Sequence, residues 1–260
     1  MSIATSVRGR SVGPVWRRVR TARGVVVLVG LQIAYPLVHG GARRAVTIAS
    51  VIVFAALSLA HAAWSRGRVA AVWLLIVAGG GGLAAEVMGS HSGFPFGNYE
   101  YTNTLGHELF GVPLVVPLAW LMMSWPALIA GRRVARGRRG VTVLIGALLL
   151  TTWDLFLDPQ MVREEHWRWL DTVGPTVHAI PVVNTIGWFA VSALIIAGLD
   201  RVVVGGRRGS TDDLFVGVVL GWTWFSQTLG HLVFFGTPSV GLTGGVLMGA
   251  VLLIAARARP

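Results

Sequence analysis

Eight apolar segments separated by clusters of arginine are the feature that most constrains the fold of this chain. About 20 consecutive apolar residues cross a bilayer as a helix. Only 13% of the 260 residues are charged, roughly half the share found in a soluble domain. The sequence therefore predicts an all-α, polytopic membrane helix bundle, with eight transmembrane helices over 24–39, 45–64, 69–88, 109–131, 141–158, 180–199, 214–235 and 239–256.

The arginines predict which side of the membrane each loop faces. All 22 basic residues are arginine, and with both termini in the cytoplasm only four of them lie outside. Because basic loops favour the cytoplasmic side, we expect a multi-pass protein of the cell membrane with both termini cytoplasmic. Its parts are a basic segment over 1–23, one transmembrane domain over 24–256 and a short tail over 257–260. The net charge of +11 thus indicates topology and not binding to nucleic acid.

Carboxyl groups at membrane depth are the first candidates for chemistry, because ionisable groups are costly there and usually functional. Glu86 lies near the outer end of the third segment, four residues after Gly82, on the glycine-rich face. Asp154 and Asp158 lie four residues apart at the outer end of the fifth segment, so they share one helix face. The alternative is that these acids cap helix ends or pair with arginines of the next loop.

Amide and imidazole groups at the outer ends of later segments form a second set of candidates. Asn184 precedes Trp188, and Gln227 precedes His231, each by four residues. Such pairs could position a water molecule. Hydrogen bonding between helices, which is common in membrane bundles, explains them equally well.

Aromatic residues are concentrated at the same outer level. The loop at 94–101, FPFGNYEY, is too patterned for a passive linker. Indole and phenol rings at this depth either form the interfacial belt or line a site where their faces stabilise a cation. The candidates of this kind are Phe96, Tyr99, Tyr101, Trp153 and Trp188.

The motifs that bind metals or cofactors are missing from the sequence. The seven histidines show no HxxxH or HExxH spacing, and the chain has no cysteine. No glycine-rich phosphate loop follows a predicted strand. We therefore expect no metal and no cofactor.

Three motifs occur in order along the chain, namely FPFGxYxY within 86–120, DxxxDP within 153–169 and IPxxNxxGW at 180–188. Together they resemble an integral-membrane carotenoid biosynthesis family, which includes the CruF-type carotenoid 1,2-hydratases and the related hydratases of C50 carotenoid synthesis. The combination is specific, whereas each motif alone would be weak.

The resemblance implies addition of water to a terminal carbon–carbon double bond of an acyclic or C50 carotenoid end group, giving a tertiary alcohol without a redox cofactor. The partners are then a lipophilic polyene, water and membrane lipid. Protonating an alkene requires a neutral acid, and carboxyl groups removed from water keep their proton more readily. We expect the catalytic residues to be Glu86 and Asp154 as the acid–base pair, with Asp158 as a third candidate. The candidates for substrate binding or water positioning are Gly82, Phe96, Tyr99, Tyr101, Trp153, Asn184, Trp188, Gln227 and His231.

Two other functions fit parts of the sequence. A UbiA-like intramembrane prenyltransferase also uses a DxxxD motif, to bind magnesium diphosphate, but the second aspartate-rich motif of that class is missing here. A non-enzymatic carrier of lipid or carotenoid, or a channel, would place polar residues along the whole depth of a helix. Here they gather near one face of the membrane, which favours an enzyme.

Overall fold

The computed structural model describes residues 15–171, 174–204 and 210–258, and in them helices occupy the eight predicted places. The predicted basic segment 1–23 lies mostly outside the described residues, as do 205–209 and the last two residues of the tail. The helices are α1 Val15–Ala34, α2 Gly40–Arg66, α3 Arg68–Ser92, α4 Val115–Ala135, α5 Arg139–Arg163, α6 Val182–Val202, α7 Ser210–Leu229 and α8 Pro238–Arg257.

Six of these helices, α2 to α6 and α8, are long and apolar enough to cross a membrane. The apolar helix over Thr21–Leu37 is shorter. In the described part of the chain 78% of the residues are helical, so the prediction of a helical bundle suited to a membrane is confirmed. The count of eight spans and the cytoplasmic position of both termini stay predictions.

Two helices contain a wider, π-helical stretch. In α3 this stretch covers Leu75–Gly80 and ends within the four glycines at 79–82. Helix α7 continues as a π-helical stretch over Gly230–Phe234. A π-helical turn takes more residues than an α-helical one, so the side chains that follow it are rotated around the helix.

Helix α4 forms the centre of the bundle. Its apolar window is 78% buried, against 33–61% for the other five helices. It crosses α5 at Gly131, where a Cβ atom would lie only 2.5 Å from the carbonyl oxygen of Thr142. Because no side chain fits in that gap, the crossing holds α4 and α5 at a fixed separation.

Several sequence-based boundaries differ from the structure, and the first helix already begins at Val15, within the predicted basic segment 1–23, and not at residue 24. The predicted segment 109–131 begins as a helix only at Val115, because residues 108–113 form a hairpin. The predicted segment 141–158 continues through Pro159 to Arg163. Asp158 therefore lies inside a helix and does not cap one.

In the described residues, the loops between α3 and α4 and between α5 and α6 form three short antiparallel strand pairs, which the sequence analysis did not predict. The strands are β1 Tyr99–Tyr101, β2 Glu108–Leu109, β3 Val112–Pro113, β4 Trp167–Trp169, β5 Thr176–Val177 and β6 Ile180–Pro181, paired β1–β4, β2–β3 and β5–β6. The β1–β4 pair joins the loop between α3 and α4 to the loop after α5. We call residues 93–114 and 164–171 the lid.

Candidate active site

A cavity of about 150 Å³ lies between the lid and the helices. Two of the three predicted catalytic carboxyl groups, Glu86 and Asp158, line it. Most other predicted site residues line it too, and these are Phe96, Tyr99, Tyr101, Trp153, Asn184, Trp188 and Gln227. The structure thus gathers residues from 86 to 227 of the sequence around one space.

Glu86 is held by three hydrogen-bond donors. The hydroxyl groups of Tyr99 and Tyr101 donate to its Oε2 atom at 2.6 and 2.7 Å, and Trp120 Nε1 donates to Oε1 at 2.8 Å. The carboxyl group is only 5% exposed. Three donors to both oxygens are the arrangement that stabilises a carboxylate.

The two tyrosines keep their protons and so remain donors. Burial raises the pKa of both Tyr99 and Tyr101, and the neighbouring Glu86 carboxyl raises it further. Side chains alternate along a strand, so both phenols of β1 face the cavity while Glu100, between them, faces out and pairs with Arg168. The register of β1 against β4 sets Tyr99 opposite Trp169.

Asp154 and Asp158 converge on one amide. Asn184 Nδ2 donates to Oδ2 of Asp158 and lies 3.3 Å from Oδ2 of Asp154. All three side chains are at least 96% buried. Within the described residues, Oδ1 of Asp154 has no hydrogen-bond partner. Asp158 lines the cavity, whereas Asp154 lies behind it, against Asn184.

Aromatic rings surround the space between these carboxyl groups. Trp120 and Trp188 are stacked, with ring centroids 4.0 Å apart and planes at 14°. Trp153 meets Trp188 edge-on at 6.1 Å, and Phe96 lies 6.4 Å from Trp120. Sequence analysis did not single out Trp120, because a tryptophan within an apolar segment looks the same as one that faces lipid.

Glycines on two helices allow the lid and Trp120 to come this close. A Cβ on Gly82 would lie 2.6 Å from Trp120 Cγ, and one on Gly187 would lie 2.5 Å from the Pro95 carbonyl oxygen. Gly82 does not itself line the cavity. Its lack of a side chain leaves room for the Trp120 indole, which donates a hydrogen bond to Glu86.

His231 is set apart from the carboxyl groups. It is fully buried, its Nε2 lies 3.2 Å from the Phe156 carbonyl oxygen, and its Nδ1 lies 2.8 Å from the Thr237 hydroxyl. Because a carbonyl only accepts, Nε2 donates and Nδ1 accepts. Gln227 lines the cavity and His231 does not, so the structure does not bring this predicted pair together.

Across the residues that the structure describes, no group of three or more histidine, aspartate or glutamate side chains is arranged to hold a metal ion. The polar part of the site consists instead of carboxyl, amide, phenol and indole groups. These groups can donate a proton, accept one and surround a cation.

The fold and the site together define a helical protein of membrane type with an acid-lined aromatic cavity beneath a lid. A family model described as "carotenoid biosynthesis protein" matches residues 46–214. The chain therefore belongs to this family, which confirms the family part of the resemblance. Comparisons with curated proteins and with solved structures find no match.

Proposed function

We propose that this protein is a carotenoid hydratase, which adds water to a terminal double bond of an acyclic or C50 carotenoid end group and forms a tertiary alcohol. Membership of the carotenoid biosynthesis family supports a lipophilic, carotenoid-related substrate. The observation that carries the proposal is the meeting of Glu86, Asp158 and five indole rings around one cavity. Hydration of an alkene needs a proton donor and a setting that stabilises a carbocation, and this cavity offers both.

The proton comes from the aspartate pair. Two carboxyl groups that share one amide cannot both be ionised without strong repulsion, so the pair retains a proton. Asp158 is the member that lines the cavity, so Asp158 transfers the proton to the substrate. Asp154, which the sequence analysis paired with Glu86, does not line the cavity and acts on Asp158 through Asn184.

Glu86 supplies the negative charge that stabilises the cation. Its three donors favour the carboxylate, and no arginine or histidine of the described chain pairs with it. A carboxylate without a countercation attracts a positive charge that forms nearby. The faces of Trp120 and Trp188 add to this attraction.

The reaction then balances without a further reactant. The O–H bond of Asp158 breaks as a C–H bond forms at the less substituted alkene carbon, which leaves the cation on the tertiary carbon. A water oxygen forms the C–O bond there, and its surplus proton returns to the Asp158 carboxylate. No electrons are exchanged with a cofactor.

The source of the new hydroxyl oxygen tests this proposal. Washed membranes that contain the protein are incubated with lycopene in ¹⁸O-labelled water, without oxygen or reductant and with a chelator present. We expect a tertiary alcohol that carries the label, detected by mass spectrometry. Unlabelled alcohol would indicate dioxygen chemistry, strict dependence on magnesium would favour a prenyltransferase, and no product would favour a carrier.

The proposed topology has eight spans in the cell membrane, with the lid outside and both termini in the cytoplasm. Because the chain has no cysteine, single cysteines report the side cleanly. Ser92, at the exposed end of α3, and Gly140, where a Cβ meets nothing within 4 Å, are suitable sites; Thr172 lies outside the described residues. In intact cells, an impermeant thiol reagent should label Ser92→Cys and not Gly140→Cys, and the reverse result would invert the topology.

A further inference from the structure

The cavity has a second polar face that the proposed acid chemistry does not use. It consists of Tyr35 after α1, Gln160 on α5 and Gln227 on α7, and we call these three residues the amide face. All three line the same cavity as Glu86 and Asp158. The side chains of the amide face are neutral, unlike the carboxyl groups of Glu86 and Asp158 that line the same cavity.

The polar atoms of the amide face are buried and have no hydrogen-bond partner. This holds for the Tyr35 hydroxyl, Gln160 Oε1 and Gln227 Oε1 within the described part of the chain. The Tyr35 hydroxyl and the Gln160 amide interact with each other, and both residues are only 8% exposed, so a water held by either one contacts both. Buried polar groups in proteins are almost always hydrogen-bonded, and those that are not call for a ligand or an ordered water.

Nearby groups on the same side of the cavity are satisfied by the protein itself. Gln32 Oε1 accepts from Trp222 Nε1 at 2.6 Å, and the Thr47 hydroxyl donates to the Arg43 carbonyl at 3.0 Å. The Tyr35 ring is held by an edge contact with Phe235, at 5.6 Å between centroids. Among the described side chains that line the cavity, the buried acceptor atoms without a partner thus belong to the amide face, while Trp169 Nε1, which also lacks a partner, can only donate.

The chemistry of the amide face identifies its occupant. Two amide oxygens that accept and a phenol that both donates and accepts fit a small neutral molecule with O–H groups. Amides neither take up nor release protons at physiological pH, so a water held by them stays neutral and nucleophilic. Gln160 and Asp158 line the same cavity, so a water held by Gln160 shares one space with the acid and the alkene.

We propose that Tyr35, Gln160 and Gln227 are positioning residues that hold the water molecule which attacks the carbocation. This inference rests on the proposed hydration. In the step it assigns, the oxygen of the held water forms the C–O bond, and the surplus proton passes to the carboxylate of Asp158.

Deuterium oxide separates the capture of water from the protonation that precedes it. Membranes with wild-type protein, Gln160→Met or Tyr35→Phe are incubated with lycopene in deuterium oxide. Mass spectrometry then measures the alcohol formed and the deuterium in the recovered hydrocarbon. A cation that is not captured loses a proton and returns to an alkene, so reversible protonation leaves deuterium in the hydrocarbon.

Both variants should raise the ratio of deuterated hydrocarbon to alcohol about tenfold or more, as expected for loss of one hydrogen bond to the attacking water. Thr228→Val is the matched control, because Thr228 adjoins Gln227 and its buried hydroxyl also has no partner, but it does not line the cavity. Its ratio should equal that of the wild type. Asp158→Asn should lose both alcohol and deuterium.

The other outcomes overturn the inference in distinguishable ways. A wild-type ratio in Gln160→Met and Tyr35→Phe shows that these residues do not hold the water. A parallel loss of alcohol and deuterium in both variants shows that they support the fold or bind the polyene. If the wild type forms no alcohol at all, the proposed hydration itself is wrong.

Discussion

Replacing Asp158 with Asn, or Glu86 with Gln, is expected to lower the rate of hydration ~10²- to 10⁴-fold, the range typical for loss of a general acid or base. Asp158→Asn keeps the size of the side chain and its contact with Asn184 but removes the proton that the alkene needs. Glu86→Gln removes the charge that faces the cation. Asp154→Asn should cause a smaller loss, because Asp154 does not line the cavity.

The control for these variants is Glu100→Gln. Glu100 lies on the same strand as Tyr99 and Tyr101 but faces outward, in a surface ion pair with Arg168. Such pairs contribute little, so this variant should hydrate at nearly the wild-type rate. Rates are compared at equal amounts of protein in the membrane, measured by immunoblot. If Asp158→Asn and Glu86→Gln accumulate normally and keep the wild-type rate, the assignment of the site is wrong.

The helices were the part of the fold that the sequence predicted well. Long apolar segments bounded by arginines can form little else in a membrane, because each backbone polar group must be paired within its own helix. Helix ends were predicted less well. Residues 109–113 are uncharged and mostly apolar, like the helix that follows, so most of the hairpin β2–β3 was assigned to the fourth segment.

The lid shows why the sequence could suggest the residues of the site but not how they come together. Tyr99 and Tyr101 were candidates, yet only the pairing of β1 with β4 turns both phenols toward Glu86. The three strand residues of β1 are too few to give a pattern of alternation. Trp120 was missed for a different reason, since hydropathy does not tell an indole that donates to a carboxylate from one that faces lipid.

His231 illustrates a spacing rule that failed for a physical reason. Residues four apart lie on one face of an α-helix, so Gln227 and His231 were expected to act together. His231 lies within the π-helical stretch Gly230–Phe234, which follows the regular part of α7. Its wider turn rotates the imidazole toward Phe156 and Thr237, away from the cavity that Gln227 lines.

Gln160 and Tyr35 gave no signal in sequence, because a lone glutamine or tyrosine near a helix end is ordinary.

The glycine run of α3 allows a test of the packing that supports Glu86. In Gly82→Ala the new Cβ would lie 2.6 Å from Trp120, and the ring would have to shift. A shift of Trp120 disturbs both its 2.8 Å hydrogen bond to Glu86 and its stacking on Trp188. A hydrogen bond to a charged group contributes about 1.5–3 kcal/mol. Because 1.36 kcal/mol is a tenfold change in rate, we expect hydration to slow about 10- to 100-fold.

Gly80→Ala makes the matched comparison, since it adds the same methyl group to the same run. A Cβ on Gly80 meets nothing within 4 Å, and its backbone is helical, so this variant should keep the wild-type rate. Intrinsic tryptophan fluorescence and the rate of hydration are measured for both proteins at equal abundance. Equal slowing in both variants would mean that the run tolerates no side chain for general reasons of helix packing. Slowing confined to Gly82→Ala, with altered fluorescence, would show that α3 needs a glycine at position 82 to make room for Trp120, which binds Glu86.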